Sequence, residues 1–239
     1  MSEYLLSTSG LTKQFGHHKA VNNVDLHVKK GAIYGFIGRN GAGKTTFLKM
    51  ISGLSKPTDG EIQMFGYRNE ELKNVRSRIS GLIEAPGIYG NMSAYHNLAI
   101  KCRLFGINDS KYIENILKIV GLSEVGKKKT KHFSLGMKQR LGIGLALVGE
   151  PDLLVLDEPI NGLDPQGIAE IRDMLLRLKE EQNMTIIISS HILEELSKIA
   201  THYGIIHNGS LIQELTREEL MTRCSERMEL TLDEPKAAL

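Results

Sequence analysis

The fold is decided by one stretch of the chain, Gly38-Arg39-Asn40-Gly41-Ala42-Gly43-Lys44-Thr45. This stretch matches G-x-x-x-x-G-K-S/T, the phosphate-binding P-loop. Residues 32–37 before it are apolar enough for a short buried strand, and residues 46–51 after it have the apolar spacing of a helix. Glycines let backbone N–H groups approach a phosphate, and the N-terminus of the helix adds partial positive charge. We therefore predict a nucleotide site in which Lys44 reaches the β- and γ-phosphates and the Thr45 hydroxyl ligates Mg²⁺.

The composition narrows the class of protein further. The chain has 239 residues, 41% of them hydrophobic and 24% charged, which is ordinary for a soluble globular protein. Thirty basic residues against 28 acidic ones leave a net charge of +2, so we expect no nucleic-acid partner. No apolar run approaches the roughly 20 residues of a membrane span, and the first residues lack the pattern of a signal peptide. Cys102 and Cys224 have no metal or redox spacing and indicate incidental thiols in a reducing cytosol.

Strand-like segments lie on both sides of the P-loop. Val24, Leu26 and Val28 alternate with polar residues, which is the period of a half-buried strand. Phe15 lies between two such segments, and its position alone indicates an aromatic residue of the core. A small antiparallel sheet beside the nucleotide is predicted from short strands at residues 5–9, 21–28 and 61–65.

Further along the chain the pattern changes to helices and then to buried strands. Residues 93–105 and 111–120 have helical spacing and predict a helical lobe inserted into the nucleotide fold. Buried strands that end in polar residues follow at 153–158 and 185–191, with an amphipathic helix at 168–179 between them. Strands that alternate with helices in this way predict a parallel α/β sheet with its site at the carboxyl edge.

The C-terminal part of the sequence indicates a hairpin followed by a polar tail. Asn208-Gly209 is a strong turn signal between predicted strands at residues 203–207 and 211–213. From about Thr216 the sequence is polar and helical, and residues 228–232 have the pattern of a further strand. We therefore expect residues 216–239 to form a tail that stops inside another unit.

Two acidic residues end the strand at 153–158. Asp157 is suited to hold Mg²⁺ through a hard oxygen, and Glu158 is suited to polarise the water that attacks the γ-phosphate. Ser134 is a good N-cap, and Gly136 leaves backbone exposed, so a second helix N-terminus can face an anion here. His191 ends the strand at 185–191, and on its own such a histidine is more often structural than catalytic.

Taken together, these motifs resemble the nucleotide-binding subunit of ATP-binding-cassette (ABC) transporters over roughly residues 3–215. The order of the motifs carries the resemblance: an aromatic loop at Phe15, the P-loop, a signature at Phe133-Ser134-Leu135-Gly136-Met137, the pair Asp157-Glu158, a D-loop at Gly162-Leu163-Asp164 and a switch histidine at His191. The resemblance implies that Phe15 stacks on adenine rather than packing in the core.

The resemblance also implies a fold and an assembly. The fold is α/β, with a P-loop NTPase core and antiparallel β subdomain at residues 3–84 and 146–215 and an inserted helical subdomain at residues 85–145. Two copies would form a homodimer by closing head to tail on two ATP molecules, with the P-loop of one copy facing residues 134–136 of the other. A separate permease would dock around Glu84 and the helical lobe, which places the chain at the cytoplasmic face of the cell membrane as a peripheral subunit.

The resemblance assigns a role to each residue of the motifs. The catalytic residues would be Lys44, Glu158 and His191. The ligands of Mg²⁺ would be Thr45, Glu84 and Asp157. The residues that bind ATP would be Phe15, Gly38, Arg39, Asn40, Gly41, Ala42, Gly43, Lys44, Thr45, Thr46, Ser134, Leu135, Gly136 and Asp164, and Asp164 would also help to join the subunits.

Two departures from the family pattern bear on the cargo. The usual signature is Leu-Ser-Gly-Gly-Gln, and here Leu135 replaces its first glycine and Met137 its glutamine. Glu84, in Ile83-Glu84-Ala85-Pro86, replaces a glutamine whose carbonyl touches Mg²⁺ in the family. The glutamate and the altered signature resemble the subgroup that exports, or confers immunity to, lantibiotics and bacitracin-like peptides.

Other functions stay open on the sequence alone. One is an ABC transporter subunit for a lipid or a drug. A second is a non-transport ABC ATPase acting on DNA or ribosomes, although the coiled coil, second cassette or basic surface usual in that class is not evident. A third is a regulatory module that binds nucleotide without hydrolysis, which the intact Glu158 and His191 disfavour.

Overall fold

Two β-sheets carry the fold of residues 4–225, the part of the chain that the computed structural model describes. The strands are β1 (Tyr4–Phe15), β2 (His18–Lys29), β3 (Ile33–Ile37), β4 (Asp59–Met64), β5 (Tyr67–Arg68), β6 (Ile79–Leu82), β7 (Leu153–Asp157), β8 (Thr185–Ser190), β9 (His202–His207) and β10 (Ser210–Thr216). The α-helices are α1 (Lys44–Ile51), α2 (Ala94–Leu104), α3 (Ser110–Ile119), α4 (Leu135–Leu147), α5 (Pro165–Gln182), α6 (Leu193–Ser197) and α7 (Arg217–Ser225). Short 3₁₀ segments lie at Asn69–Arg78, Ser123–Val125 and Thr130–His132.

The first sheet is antiparallel, with strand order β2-β1-β4-β5. In β2 the side chains of Val24, Leu26 and Val28 are buried and the residues between them are exposed, as the alternating sequence predicts. The predicted antiparallel sheet is therefore confirmed. Strands β1 and β2 are longer than their apolar segments because their pairing continues to the hairpin tip, where Phe15 lies opposite His18.

The second sheet has the strand order β10-β9-β3-β8-β7-β6. Strands β9, β3, β8, β7 and β6 run parallel, and β10 adds an antiparallel edge. The register places Ile37 beside Ser190 and Asp157 beside Ser189, so the entry to the P-loop and two polar strand ends meet at the carboxyl edge. Ligands of open α/β sheets bind at this edge. The predicted α/β fold is confirmed.

Strand β6 is one of the elements that the sequence does not predict. It contains Ser80 and Gly81 and has no apolar run, so no local period marks it. Pairing with β7 supplies its extended conformation. The two strands approach so closely that a Cβ atom at Gly81 would lie only 2.3 Å from the Val155 carbonyl oxygen.

Helices α2, α3 and α4 form the helical lobe between β6 and β7. The side chains of Ser93, Asp109 and Ser134 each accept a hydrogen bond from a backbone N–H of the following first turn, which fixes where the three helices begin. The predicted helices at 93–105 and 111–120 agree with α2 and α3 to within one residue at each end. The division of the chain at residues 85 and 145 stays a prediction.

The parallel sheet separates two hydrophobic cores. On one side, Leu154 and Ile188 pack with the helical lobe and with α5. On the other side, Val155 and Ile187 pack with the antiparallel sheet and with Phe47 of α1. Because alternate residues of β7 and β8 face opposite cores, both strands are buried along their full length. Helix α1, which follows the P-loop, therefore packs against the sheet.

Strands β9 and β10 form the predicted hairpin. Asn208 (φ 47°) and Gly209 (φ 81°) both have positive φ, as a two-residue type I′ turn requires. Glu214 of β10 links the two sheets, because its Oε1 accepts hydrogen bonds from the Tyr34 hydroxyl (2.6 Å) and from the His27 backbone N–H (2.9 Å). Burial, together with the nearby carboxylate, raises the pKa of Tyr34 well above its usual range.

The polar segment after Thr216 is helical as α7, and the predicted strand at residues 228–232 lies outside the described residues. Within residues 4–225, each helix is too short or too polar to cross a lipid bilayer.

Candidate active site

The P-loop wraps around the N-terminus of α1. Gly41 (φ 80°) and Gly43 (φ 108°) adopt positive φ, and a Cβ atom at Gly43 would lie 2.3 Å from the Ala20 carbonyl oxygen. Arg39 and Asn40 are exposed at the tip of the loop, whereas Ala42 is buried, and Thr46 lies in the first turn of α1. The loop therefore presents backbone N–H groups and a helix N-terminus to the same space.

Lys44 is the first residue of α1, and its side chain is only 5% exposed. The ammonium nitrogen lies 2.6 Å from the Gly38 carbonyl oxygen and 3.2 Å from that of Arg39. It also lies 3.1 Å from Glu158 Oε1, a buried oxygen that makes no hydrogen bond among the described residues, so this contact is an ion pair. The cation of the P-loop thus faces a carboxylate oxygen whose hydrogen-bonding capacity is unused.

Thr45, Asp157 and Ser189 form a hydrogen-bonded chain beside this pair. The Thr45 hydroxyl donates to Asp157 Oδ2 at 2.7 Å, and the Ser189 hydroxyl donates to Asp157 Oδ1 at 2.6 Å. Ser189 Oγ in turn accepts a hydrogen bond from the Glu158 backbone N–H at 2.9 Å. Because the hydroxyl of Thr45 and the carboxylate of Asp157 are hard oxygen donors in direct contact, this donor set fits Mg²⁺.

Glu158 and His191 complete the group. Glu158 has φ 47°, a left-handed conformation that is uncommon for a residue other than glycine. His191 Nδ1 lies 2.9 Å from Glu158 Oε2. The two oxygens of Glu158 therefore face different partners, Oε1 toward Lys44 and Oε2 toward His191. Such an arrangement can hold a carboxylate in one orientation for proton transfer.

Ser189 is a residue of this site that the sequence does not single out. We expect Ser189→Ala to lower the free energy of unfolding by about 1–3 kcal/mol, because it leaves a buried carboxylate oxygen and a backbone N–H without their partner. We also expect ATP turnover to fall by about tenfold as Asp157 and Glu158 lose their common anchor. Thermal unfolding and phosphate release measure the two effects.

Ser190→Ala is the matched control for that variant. Ser190 is equally buried at the end of β8, but within residues 4–225 the hydrogen bond of its hydroxyl is the one accepted from the Ile192 backbone N–H. Turnover that falls equally in both variants would contradict a specific role for Ser189.

The signature and D-loop residues lie together in a second place. Ser134, Leu135, Gly136 and Asp164 line a cleft of about 460 Å³ that, among the described residues, the P-loop does not reach. Ser134 caps α4, and Asp164 caps α5 through a 3.0 Å hydrogen bond from the Gly167 N–H. Leu135, the first residue of α4, is 48% exposed.

Phe15 and Glu84 lie at the margins of the site. Phe15 is 55% exposed, with the Lys13 ammonium 5.0 Å from its ring centroid, so the interpretation as a core residue from position alone is wrong. The hairpin tip extends beyond the core, which explains the exposure. Glu84 (φ 65°) is exposed and contacts the Lys49 ammonium at 2.5 Å, one turn beyond Thr45 on α1. Its role toward Mg²⁺ stays a prediction.

A P-loop, a strand-end Asp-Glu pair and a histidine at the carboxyl edge of a parallel sheet define an ATP-hydrolysing P-loop protein. The family model described as "ABC transporter" matches residues 21–161. The chain therefore belongs to the ABC transporter family, as an ATP-binding subunit that hydrolyses ATP.

Individual relatives agree with this family. The chain is 46% identical to the bacitracin transport ATP-binding protein BcrA of Bacillus licheniformis over 238 residues, which are 98% of this chain and 77% of that protein. It is 43% identical to the lantibiotic transport ATP-binding protein SrtF of Streptococcus pyogenes over 210 residues, which are 88% and 90% of the two chains. Among solved structures, it is similar to cbiO1 from Clostridium perfringens, part of the ABC transporter complex cbiONQ, with a TM-score of 0.84, 26% identity and coverage of 97% and 96%.

Proposed function

We propose that this chain powers the export of, or immunity to, a bacitracin-like or lantibiotic peptide through a separate membrane permease. The observation that carries the proposal is the similarity to two relatives named for the transport of such peptides, at 46% and 43% identity over most of both chains. Glu84, at the position where the family usually has a glutamine, supports the same subgroup.

The hydrolysis step uses the two carboxylate oxygens of Glu158. When ATP enters, the Lys44 ammonium leaves Glu158 and contacts the β- and γ-phosphates. Glu158 Oε1 is then free to accept the proton of the attacking water. As that proton moves to Oε1, the water oxygen bonds to the γ-phosphorus, and the bond from phosphorus to the bridging oxygen of ADP breaks. His191 holds Oε2 and contacts the γ-phosphate, so the base and the water stay aligned.

Thr45 and Asp157 are the residues that would hold Mg²⁺, with Glu84 as a further oxygen ligand. When bound, the ion neutralises negative charge on the phosphate oxygens. Ser189 keeps Asp157 oriented toward Thr45.

The nucleotide would be shared between two copies of the chain. Within one copy, Ser134, Leu135, Gly136 and Asp164 lie in a cleft apart from the P-loop. A head-to-tail homodimer joins the cleft of one copy to the P-loop of the other, with Phe15 stacked on adenine. ATP then holds the halves together, and hydrolysis releases them.

The permease supplies the path across the membrane. It would dock around Glu84 and the helical lobe and hold this chain at the cytoplasmic face of the membrane as a peripheral subunit. The cargo is tested by reconstituting the chain with its permease in vesicles and measuring phosphate release. We expect bacitracin or a lantibiotic to stimulate release several-fold and lipids or drugs to leave it unchanged. If only a lipid or a drug stimulates phosphate release, the cargo belongs to that class and not to the antimicrobial peptides.

Glu84→Gln probes the link between ATP and cargo. Its ion pair with Lys49 is largely exposed, so the substitution should change stability by less than about 1 kcal/mol. We expect nucleotide affinity to stay roughly intact, while protection of cells against the peptide weakens. Glu61→Gln is a matched control, because Glu61 is also an exposed glutamate with a basic neighbour, Arg68 at 4.0 Å. Protection equal in both variants would mean that Glu84 has no special role.

A further inference from the structure

Arg140 joins three helices just beyond the signature. It lies on α4, six residues after Ser134, with its side chain only 17% exposed. Nη1 donates to the carbonyl oxygens of Val120 (3.4 Å) and Gly121 (3.0 Å) at the C-terminal end of α3. Nη2 lies 3.3 Å from Glu170 Oε2 on α5. One guanidinium group therefore ties the signature helix both to its own lobe and to the helix that follows the D-loop.

Glu170 is held for this contact from its other side. Its Oε1 accepts a hydrogen bond from Gln166 Nε2 at 3.1 Å, so each of the two carboxylate oxygens has its own partner. Glu170 lies six residues after Asp164, the cap of α5. Each partner of the pair is thus about 9 Å along its helix from the capping residue. The Arg140–Glu170 pair fixes the N-termini of α4 and α5 relative to each other, and both residues line the same cleft as the signature.

The chemistry of arginine suits this position. Its planar guanidinium holds five N–H donors in a fixed arrangement, so that Nη1 and Nη2 each contact a different partner here. Arg140 Nε is buried and makes no hydrogen bond among residues 4–225, so burial of this side chain carries a cost. Loss of Glu170 would leave the partly buried cation with only the carbonyl oxygens of α3.

We propose that Arg140 is a positioning residue for the closure of the dimer on ATP: through Glu170 it holds the signature and the D-loop in the one arrangement that meets the partner's nucleotide. This inference rests on the head-to-tail homodimer of the proposed function. Arg140 acts on the assembly of the shared site and leaves the binding of ATP to the chain's own P-loop unchanged.

The test is a double-mutant cycle in the full chain carrying Glu158→Gln. Dimerisation in ATP is measured by analytical ultracentrifugation for Glu170→Gln, for Arg140→Met and for both together. We expect Glu170→Gln to weaken the dimer by about three- to tenfold. Arg140→Met should weaken it at least as much, and the double variant no more than Arg140→Met alone. The affinity of the isolated chain for a fluorescent ATP analogue should stay the same in all of them.

Asp173→Asn is the control on the same helix, because Asp173 is exposed and, among residues 4–225, pairs with its neighbour Arg172, and it should leave dimerisation unchanged. A dimer as tight in Glu170→Gln as in the parent would overturn the inference, as would strictly additive effects or an equal loss of nucleotide affinity. If Arg140→Met fails to fold, Glu170→Gln against Asp173→Asn still decides the question. A parent that stays monomeric in ATP would overturn the shared site itself, a result distinct from the loss of Arg140's role.

Discussion

Replacing Glu158 with glutamine is expected to lower ATP turnover by about a hundredfold to ten-thousandfold, the usual contribution of a general base. The amide keeps the size of the side chain, but it cannot take the proton of the attacking water. Because Lys44 and the P-loop glycines remain, ATP still binds and the closed dimer accumulates. Phosphate release measures the first effect, and size-exclusion chromatography in ATP measures the second.

Glu150→Gln provides a close control for this variant. Glu150 is another glutamate with positive φ (52°), but it is exposed and lies at the opposite end of β7 from the site. We expect its turnover to equal that of the natural chain. Turnover within a few-fold of normal in Glu158→Gln would remove Glu158 from the role of base.

Lys44→Ala is expected to lower kcat/KM for ATP hydrolysis by about a hundredfold or more, a typical loss for one preorganised group that stabilises transition-state charge. The substitution removes the cation that faces the phosphates and leaves Glu158 Oε1 buried without its ion-pair partner. Nucleotide affinity should fall together with turnover, in contrast to Glu158→Gln. Titration with a fluorescent ATP analogue and steady-state kinetics distinguish the two patterns.

Lys111→Ala tests whether any lysine in the first turn of a helix has this effect. Lys111 lies in the first turn of α3 and is exposed. We expect no change in affinity or turnover. Normal ATP affinity in Lys44→Ala would contradict the assignment of Lys44 to the phosphates.

Local patterns in the sequence predict the parts of the fold whose cause is local. The alternation of Val24, Leu26 and Val28 marks β2, and Asn208-Gly209 marks the β9–β10 turn, because burial on one face and positive φ leave direct traces in residue type. Strand β6 leaves no such trace, since its conformation comes from pairing with β7. Phe15 is misjudged from position for a related reason: hydrophobic type does not reveal that the hairpin tip projects past the core.

The candidate site likewise contains residues that the sequence predicts and one that it does not. Lys44, Thr45, Asp157 and Glu158 are predicted because the P-loop and the acidic strand end are contiguous motifs, and the parallel register then brings them together. Ser189 is missed because its role depends on lying beside Asp157 in the neighbouring strand, a relation that residue spacing along the chain does not contain.

The alternative functions are distinguished by whether ATP is hydrolysed and by which molecule changes the rate of hydrolysis. Hydrolysis itself excludes a purely regulatory binding module. The turnover of an ATPase that acts on DNA or ribosomes would change when nucleic acid is added. A net charge of +2 predicts only weak binding of nucleic acid by this chain. A transporter subunit for a lipid or a drug would share the whole site and differ only in the permease.

The most direct test is a killing assay. The chain is expressed with its neighbouring membrane protein in a sensitive bacterium, with and without Lys44→Ala, and the cells are challenged with lantibiotics and bacitracin. We expect protection against at least one peptide, and we expect it to disappear with Lys44→Ala. No protection against any of these peptides, from a pair shown to hydrolyse ATP, would contradict the peptide cargo.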